Sequence, residues 1–323
     1  MEFFKGDKIY NFMGKRGLFI TISLFMIIGS FISIGLRGFN WGIDFIGGVE
    51  VQVRFIKPVP IAQIRKAVEK EYRNASITNF GSAQEFLIRL SVKNSSTNLT
   101  NDIGDKISTL LKPIGSVEVR RVNIVGAKVG NELKEKGIKA FLVAMVGILL
   151  YVAFRFEWRF AVASVLALFH DTIISLGAVT LFQVEFNLDL LAAILTLMGY
   201  SLNDTIVVFD RIREQVALSK GGKLESHINE AVSKTLSRTV LTSLTTFFVV
   251  FTLFLFGGEI IRPFAFPLLV GIVVGTYSSI FIASPLLIWL RFNVDKYRQK
   301  LIEKRKKQEE RERLRKMYEG GVI

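Results

Sequence analysis

The chain has 323 residues, half of them apolar, with 28 Phe and only 6 Pro, a balance that is unusual for a soluble protein and favours a membrane protein. It has no cysteine, which excludes disulfides, thiolate metal sites and cysteine nucleophiles, and its two histidines exclude a histidine-rich metal cluster. The formal charge of +14 is compatible with nucleic-acid binding, but in a membrane protein basic residues on cytoplasmic faces explain it more simply.

Six segments are long and apolar enough to cross a bilayer, which takes about 20 helical residues. In chain order they are spans 1 to 6, at residues 17–36, 138–156, 160–182, 188–209, 239–256 and 264–290. Span 1 follows Lys15 and Arg16, as the apolar part of a signal peptide would. Because no small-residue cleavage site comes after it, we predict a retained span.

The distribution of Lys and Arg predicts the orientation of the spans. Basic residues concentrate in the segment 1–16, in the turn after span 2, in the segment 211–238 and in the tail 291–323. The two short turns on the opposite side hold a single basic residue, Arg262. We therefore expect both termini, a loop at 211–238 and the basic tail to be cytoplasmic, and residues 37–137 to lie outside.

The outer segment is long enough to fold as a domain of its own. Strand-like alternation occurs at residues 49–55, 75–80, 85–92 and 116–125, and helical periodicity occurs between these runs. The helical runs are residues 60–72 and 101–114. The order β-α-β-β-α-β predicts a ferredoxin-like α+β domain. The predicted fold class is thus a polytopic α-helical membrane protein with six transmembrane helices and one extracytoplasmic ferredoxin-like domain.

Ionisable residues interrupt two of the spans. Asp204 follows Asn203 in span 4, about 24 Å from the start of that span, and His170 and Asp171 lie near the middle of span 3. An ionised carboxylate in the bilayer costs about 2.5–3.5 kcal/mol, so such residues are rare and usually functional. Either member of the His170–Asp171 pair alone is explained by packing. Together with Asp204 they favour a solvated or proton-accessible path through the bundle.

Arg238 begins span 5, and two hypotheses about it stay open. It is either a charge that extends to the cytoplasmic surface, or a partner that moves toward Asp204. If the two residues pair, burial and the guanidinium act on the protonation of Asp204 in opposite directions, and a small conformational change would load or release a proton. In span 6, Gly271 and Gly275 form a small-xxx-small pair that predicts close helix packing.

Three motifs resemble those of the SecD/SecF family of protein-export membrane proteins, in its SecF branch, which is related to the proton-driven RND superfamily. "WGIDFIGGVEV" resembles the segment after the first span of that family, and "VNIVGAKVGNEL" resembles the segment before the second span. "SLNDTIVVFDRIRE" resembles the fourth-span signature, and the basic "TLSRTVLTS" follows it. The span count, the single outer domain and the basic tail agree with this resemblance, which covers almost the whole chain.

The resemblance implies an accessory subunit of the Sec translocase in the bacterial cytoplasmic membrane. With SecD as its obligate partner, such a subunit uses the proton-motive force to assist export of unfolded polypeptide through the SecYEG channel, and YajC is a further candidate partner. Asp204 matches the carboxylate associated with proton transfer and Arg238 the arginine that interacts with it, while His170 and Asp171 are weaker matches. We expect no cofactor, no metal, no nucleotide site and no nucleic-acid partner, but contact with membrane lipid.

Three other classes of function remain as alternatives. The chain is an energy-independent scaffold of the translocase if its buried carboxylates do not couple to export. It is a small RND-type transporter if it moves small molecules, although an outer domain of about 100 residues is small for a drug pocket. An enzyme is least expected, since the sequence contains no G-x-x-x-x-G-K loop and no nucleophile–base set.

Overall fold

The structure is a computed structural model that describes residues 8–72, 75–80, 82–90, 99–219 and 221–319. In this part of the chain, six helices are long and apolar enough to cross a membrane, and each overlaps one predicted span. Spans 1 to 6 are Met13–Arg37, Lys128–Arg155, Trp158–Leu181, Leu188–Leu218, Leu224–Phe256 and Gly258–Trp289. Spans 3, 4 and 6 are the most buried and form the centre of the bundle. A last helix, the tail helix, covers Val294–Glu319.

The outer domain has the predicted ferredoxin-like fold. Its elements are β1 (Gly48–Phe55), α1 (Ile61–Val68), β2 (Ser76–Asn79), β3 (Glu85–Leu90), α2 (Leu99–Leu111) and β4 (Val117–Val125). The four strands are antiparallel and lie in the order β2-β3-β1-β4, which places the two strands that follow helices at the edges. Alternate apolar residues of the sheet, such as Val51, Val53 and Ile88, pack against Ile64 and Ile107 of the two helices.

The predicted cytoplasmic loop at residues 211–238 is largely helical. Span 4 continues to Leu218 and span 5 already begins at Leu224, so only a short connection separates them. The reason is an apolar core at the inner ends of the spans, in which Ile212 and Val216 pack in the same buried cluster as Ile228 and Val232. The basic residues between these positions match the positive-inside pattern of a cytoplasmic loop, so the sequence predicts a loop although its apolar residues have helical periodicity.

Polar contacts attach the outer domain to the bundle. Asn40–Trp41 and Glu185–Phe186 form a short parallel strand pair between the end of span 1 and the turn between spans 3 and 4. Arg89 on β3 forms ion pairs with Glu50 at 3.0 Å and with Glu185 at 3.1 Å. Burial alone would lower the pKa of Arg89, but the two carboxylates outweigh it and hold the pKa above its ordinary value.

Candidate functional site

Asp204 faces the interior of the bundle. Its side chain is on span 4, and the residue is 3% exposed. The hydroxyl of Ser243 on span 5 donates a hydrogen bond to Oδ2 of Asp204 at 3.0 Å. Thr276 on span 6 is in turn hydrogen-bonded to Ser243, with 2.7 Å between the two hydroxyl oxygens. A carboxylate within the membrane-spanning region is therefore bonded to one hydroxyl from span 5, which in turn is bonded to a hydroxyl from span 6.

Arg238 lies one to two turns from Ser243 on span 5, but it does not pair with Asp204. In the part of the chain that the structure describes, its guanidinium forms no ion pair, and the residue is exposed. It lies within electrostatic range of Asp204 and lines an open pocket of about 470 Å³ with Asp210 and Glu214. This pocket is at the inner end of the bundle, the end opposite the outer domain. The direct ion pair considered from the sequence is thus absent from this conformation.

His170 and Asp171 form a second buried polar cluster. Asp171 is 1% exposed, and its Oδ2 accepts hydrogen bonds from Ser201 on span 4 at 2.6 Å and from Ser278 on span 6 at 2.8 Å. Its Oδ1 is 2.8 Å from Nδ1 of His170. Nε2 of His170 is buried and has no hydrogen-bond partner among the described residues. Asp171 therefore joins spans 3, 4 and 6 at one point.

The two clusters share two of their helices. Ser201 and Asp204 are three residues apart on span 4, while Thr276 and Ser278 are two apart on span 6, so both helices contribute to both clusters. Gly275 on span 6 packs against the second cluster: a Cβ there would be 3.1 Å from Cβ of Ser201 and 3.5 Å from Oδ2 of Asp171. The arrangement holds two buried carboxylates in an interior lined by hydroxyl groups from spans 4, 5 and 6.

The glycine pair of span 6 packs against span 4. A Cβ on Gly271 would collide with the side chain of Leu197, which is fully buried. Together with Gly275 opposite Ser201, this contact lets the two helices approach closely at the level of the polar clusters.

Asn203 is on a different face of span 4 from its neighbour Asp204. It is exposed, as are Ala192, Thr196 and Gly199, which recur on the same side of the helix. The structure therefore brings Asp204 together with Ser243 and Thr276, and Asp171 together with His170, but it does not place Asn203 in either cluster. The serine and threonine partners were missed by sequence reasoning, since their only signal is a hydroxyl at an interior position of an apolar helix.

Among the described residues, no group of three or more His, Asp or Glu side chains is placed to hold a metal ion.

These features define a multi-pass membrane protein with one small outer α/β domain and buried carboxylates at the centre of its bundle. Comparison with known proteins identifies its family. Residues 106–293 match the family described as protein export membrane protein SecD/SecF, C-terminal, and residues 32–59 match the SecD/SecF GG motif. The chain belongs to the SecF family of protein translocase subunits, as the resemblance in the sequence predicted.

Curated relatives named protein translocase subunit SecF are similar over nearly the full chain. The protein from Helicobacter pylori strain 26695 is 44% identical over 100% of both chains. The protein from Vibrio alginolyticus is 45% identical over 90% of this chain and 92% of its own, and that from Escherichia coli O157:H7 is 38% identical over 93% of each. Family membership places the chain among the subunits of the bacterial Sec translocase and among multi-pass membrane proteins.

A solved structure also resembles the fold. The crystal structure of SecDF, a translocon-associated membrane protein from Thermus thermophilus, matches with a TM-score of 0.76 and 37% sequence identity. The match covers 89% of this chain and 39% of the SecDF chain, so the present chain corresponds to a minor part of that longer protein.

Proposed function

We propose that the chain couples proton movement to polypeptide export, and that Asp204 is the residue that takes up and releases the proton. The observation that supports this most directly is the environment of Asp204. Its carboxylate lies within the bundle and accepts one hydrogen bond, from the hydroxyl of Ser243. The guanidinium of Arg238 is within electrostatic range but forms no ion pair with it. A fixed structural charge would be fully paired, because an ionised carboxylate in the membrane costs about 2.5–3.5 kcal/mol.

In this proposal Arg238 moves between two positions. In the conformation described here it lies in the inner pocket, and a swing toward span 4 would bring it to the carboxylate. Each elementary charge that crosses the membrane gains about 2.3 kcal/mol per 100 mV, which is comparable to the cost of the buried charge. The membrane potential is thus large enough to bias the exchange between a protonated Asp204 and one paired with Arg238.

We assign His170 and Asp171 a supporting role in the same path. Asp171 accepts hydrogen bonds from two other spans and is buried more completely than Asp204. This satisfied environment suits a residue that holds the helices around the titrating group. The unpartnered Nε2 of His170 leaves one further atom on which a proton can rest.

The exposed face of span 4 supports SecD as the partner. Asn203 would leave an amide in hydrocarbon if this face met lipid, whereas small residues such as Ala192, Thr196 and Gly199 allow another helix to approach. The matched SecDF structure carries a larger remainder of chain beside the matching part. We propose that SecD covers this face, and that Asn203 donates its amide hydrogen bond there.

The remaining assignments complete the proposal. We place both termini and the inner pocket in the cytoplasm, in accord with the positive-inside pattern, and the outer domain on the far side of the cytoplasmic (inner) membrane. SecYEG, YajC and the exported unfolded polypeptide are the further proposed partners. The chain is proposed to have no enzymatic activity of its own.

The test is proton-gradient-dependent export in inverted vesicles whose SecD and SecF levels are matched. Asp204→Asn should remove the stimulation of export by the gradient while the complex with SecD still assembles. Asp189→Asn is the control, since Asp189 is an exposed carboxylate in the first turn of the same helix. Full stimulation in Asp204→Asn would instead establish the scaffold alternative, and gradient-driven uptake of small solutes with no effect on export would establish the transporter alternative.

A further inference from the structure

The tail helix carries a one-sided basic surface. By helical spacing, Lys296, Lys300, Lys307, Arg311 and Arg315 fall within one sector of roughly 100° around the axis. We name these five residues the basic stripe. No Asp or Glu falls in this sector, and the acidic residues of the helix are on its other sides. The stripe therefore has a net positive charge, whereas positive and negative charges nearly cancel over the rest of the helix.

The stripe runs straight along the helix because its members repeat every eleven residues. Lys296 and Lys307 form one such pair, and Lys300 and Arg311 another. Eleven residues make just over three whole turns, so the repeat stays on one side over about 28 Å. A straight row of like charges of this length suits an extended anionic surface better than a single small anion.

Two contacts show which way the stripe faces. Lys300, a member of the stripe, is 3.5 Å from Glu157 in the turn between spans 2 and 3. Tyr297, at the edge of the stripe, accepts a hydrogen bond from Arg213 at 2.8 Å. The exposed ion pair contributes little energy, but both contacts hold the first turns of the stripe at the inner end of the bundle.

We propose that the basic stripe binds anionic lipid headgroups at the membrane surface beside the inner end of the bundle. Span 6 ends with the helical segment Ser284–Trp289 and Leu290, and only residues 291–293 then precede the tail helix. The first turns of the tail helix therefore lie near the headgroup region, where the surface potential acts over about 8–10 Å. The tail helix has few apolar residues, which favours binding on the surface over insertion. Each basic residue at such a surface strengthens binding by about fivefold.

This inference rests on the cytoplasmic placement of the tail in the proposed function, but it does not depend on the role of Asp204. RNA is the competing polyanion, because it too attracts a row of Lys and Arg. The start of the stripe at the inner end of the bundle, close to the bilayer surface, favours lipid.

The experiment uses the full chain, which has no native cysteine and so accepts a single reporter. Gln308→Cys, next to the stripe, is labelled with a fluorophore and the protein is reconstituted in vesicles with or without phosphatidylglycerol. A lipid spin-labelled at its headgroup reports contact by quenching. The stripe variant Lys307→Gln with Arg311→Gln is compared with the matched control Lys306→Gln with Arg313→Gln, which removes the same charge from the other sides.

We expect quenching only in the anionic vesicles, its loss in high salt, and a fall of about 30-fold in the ratio of membrane-bound to free tail for the stripe variant. The control variant should retain most of the quenching. Equal quenching in both kinds of vesicle, or equal loss in both variants, would overturn the proposal. So would a label that responds to added ribosomal RNA and not to the lipid. Anionic lipid is present in both leaflets, so the result is independent of orientation and of proton coupling.

Discussion

Ser243, and not Arg238, is the hydrogen-bond partner of Asp204 in this structure, with 3.0 Å between the serine oxygen and Oδ2 of the carboxylate. The guanidinium remains in the inner pocket, a short distance along the same helix. A serine hydroxyl can donate to an ionised carboxylate and can accept from a protonated one. It can therefore stay bonded to Asp204 through a proton cycle, whereas an arginine, which only donates, favours the ionised state.

Ser243→Ala should consequently weaken proton-coupled export without abolishing it. A hydrogen bond to a charged group contributes about 1.5–3 kcal/mol, so we expect gradient-stimulated export to fall by about 10- to 150-fold. Ser243→Thr, which keeps the hydroxyl, should restore most of it. Thr252→Ala is the control, since this exposed threonine on the same span bonds only to a carbonyl of its own helix. An unchanged rate in Ser243→Ala would show that the bond plays no part in coupling.

Asp171→Asn should affect stability more than it affects coupling. The substitution removes the negative charge that accepts hydrogen bonds from the hydroxyl groups of Ser201 and Ser278. It should therefore lower the stability of the bundle by about 1–3 kcal/mol. Asp204→Asn, with fewer bonds to lose, should unfold close to the wild-type temperature. The measurement is thermal unfolding of the purified chain in detergent, beside export in vesicles. If Asp204→Asn unfolded at a lower temperature than Asp171→Asn, the supporting role proposed for Asp171 would be wrong.

The sequence was sufficient for the spans and for the outer domain because both follow from local periodicity. A run of about 20 apolar residues identifies a span wherever it packs, and alternation identifies the strands of the sheet. The helical extension around Ile212 and Val216 was missed because its apolar face packs against Ile228 and Val232, a contact between helices that no local pattern contains.

The same limit applies to the candidate site. Span 4 by itself shows that Asp204 and Asn203 point in directions about 100° apart, but not which of them faces the bundle. The hydroxyl partners Ser243 and Thr276 come from helices whose arrangement around span 4 is a property of the fold. The residues themselves pointed to Asp204 and Arg238 and the family resemblance favoured their pairing, yet only the structure shows that they are apart in this conformation.

Gly271→Ala should destabilise the contact between spans 4 and 6. The added Cβ would meet Leu197, which is fully buried, and overpacking of this kind costs about 1–3 kcal/mol. Gly147→Ala on span 2 is the matched control, because a Cβ there meets nothing within 4 Å. Thermal unfolding in detergent compares the two. If both variants unfold at the same temperature, the close packing at Gly271 does not contribute to stability.

Arg89→Gln should loosen the outer domain from the bundle. The substitution leaves Glu50 and Glu185 without their shared cation, and partly buried charge-assisted bonds of this type contribute about 1.5–3 kcal/mol. The pKa of Arg89 is raised above its ordinary value by the two carboxylates. The stability that the charged arginine contributes is therefore fully present at any pH below the ordinary pKa of arginine, and it would be lost only at extreme alkaline pH. The arginine therefore stays charged at any pH at which the chain is folded.

Hydrogen exchange measures this loosening directly. In Arg89→Gln, amides near Asn40–Trp41 and Glu185–Phe186, the strand pair that joins the two parts, should exchange faster, while the core of the outer sheet keeps its protection. Arg54→Gln is the control, since Arg54 is more exposed and pairs with Glu85 within the same sheet at 3.6 Å. Faster exchange across the whole sheet of Arg89→Gln would mean that the residue stabilises the outer domain itself and does not act as its attachment to the bundle.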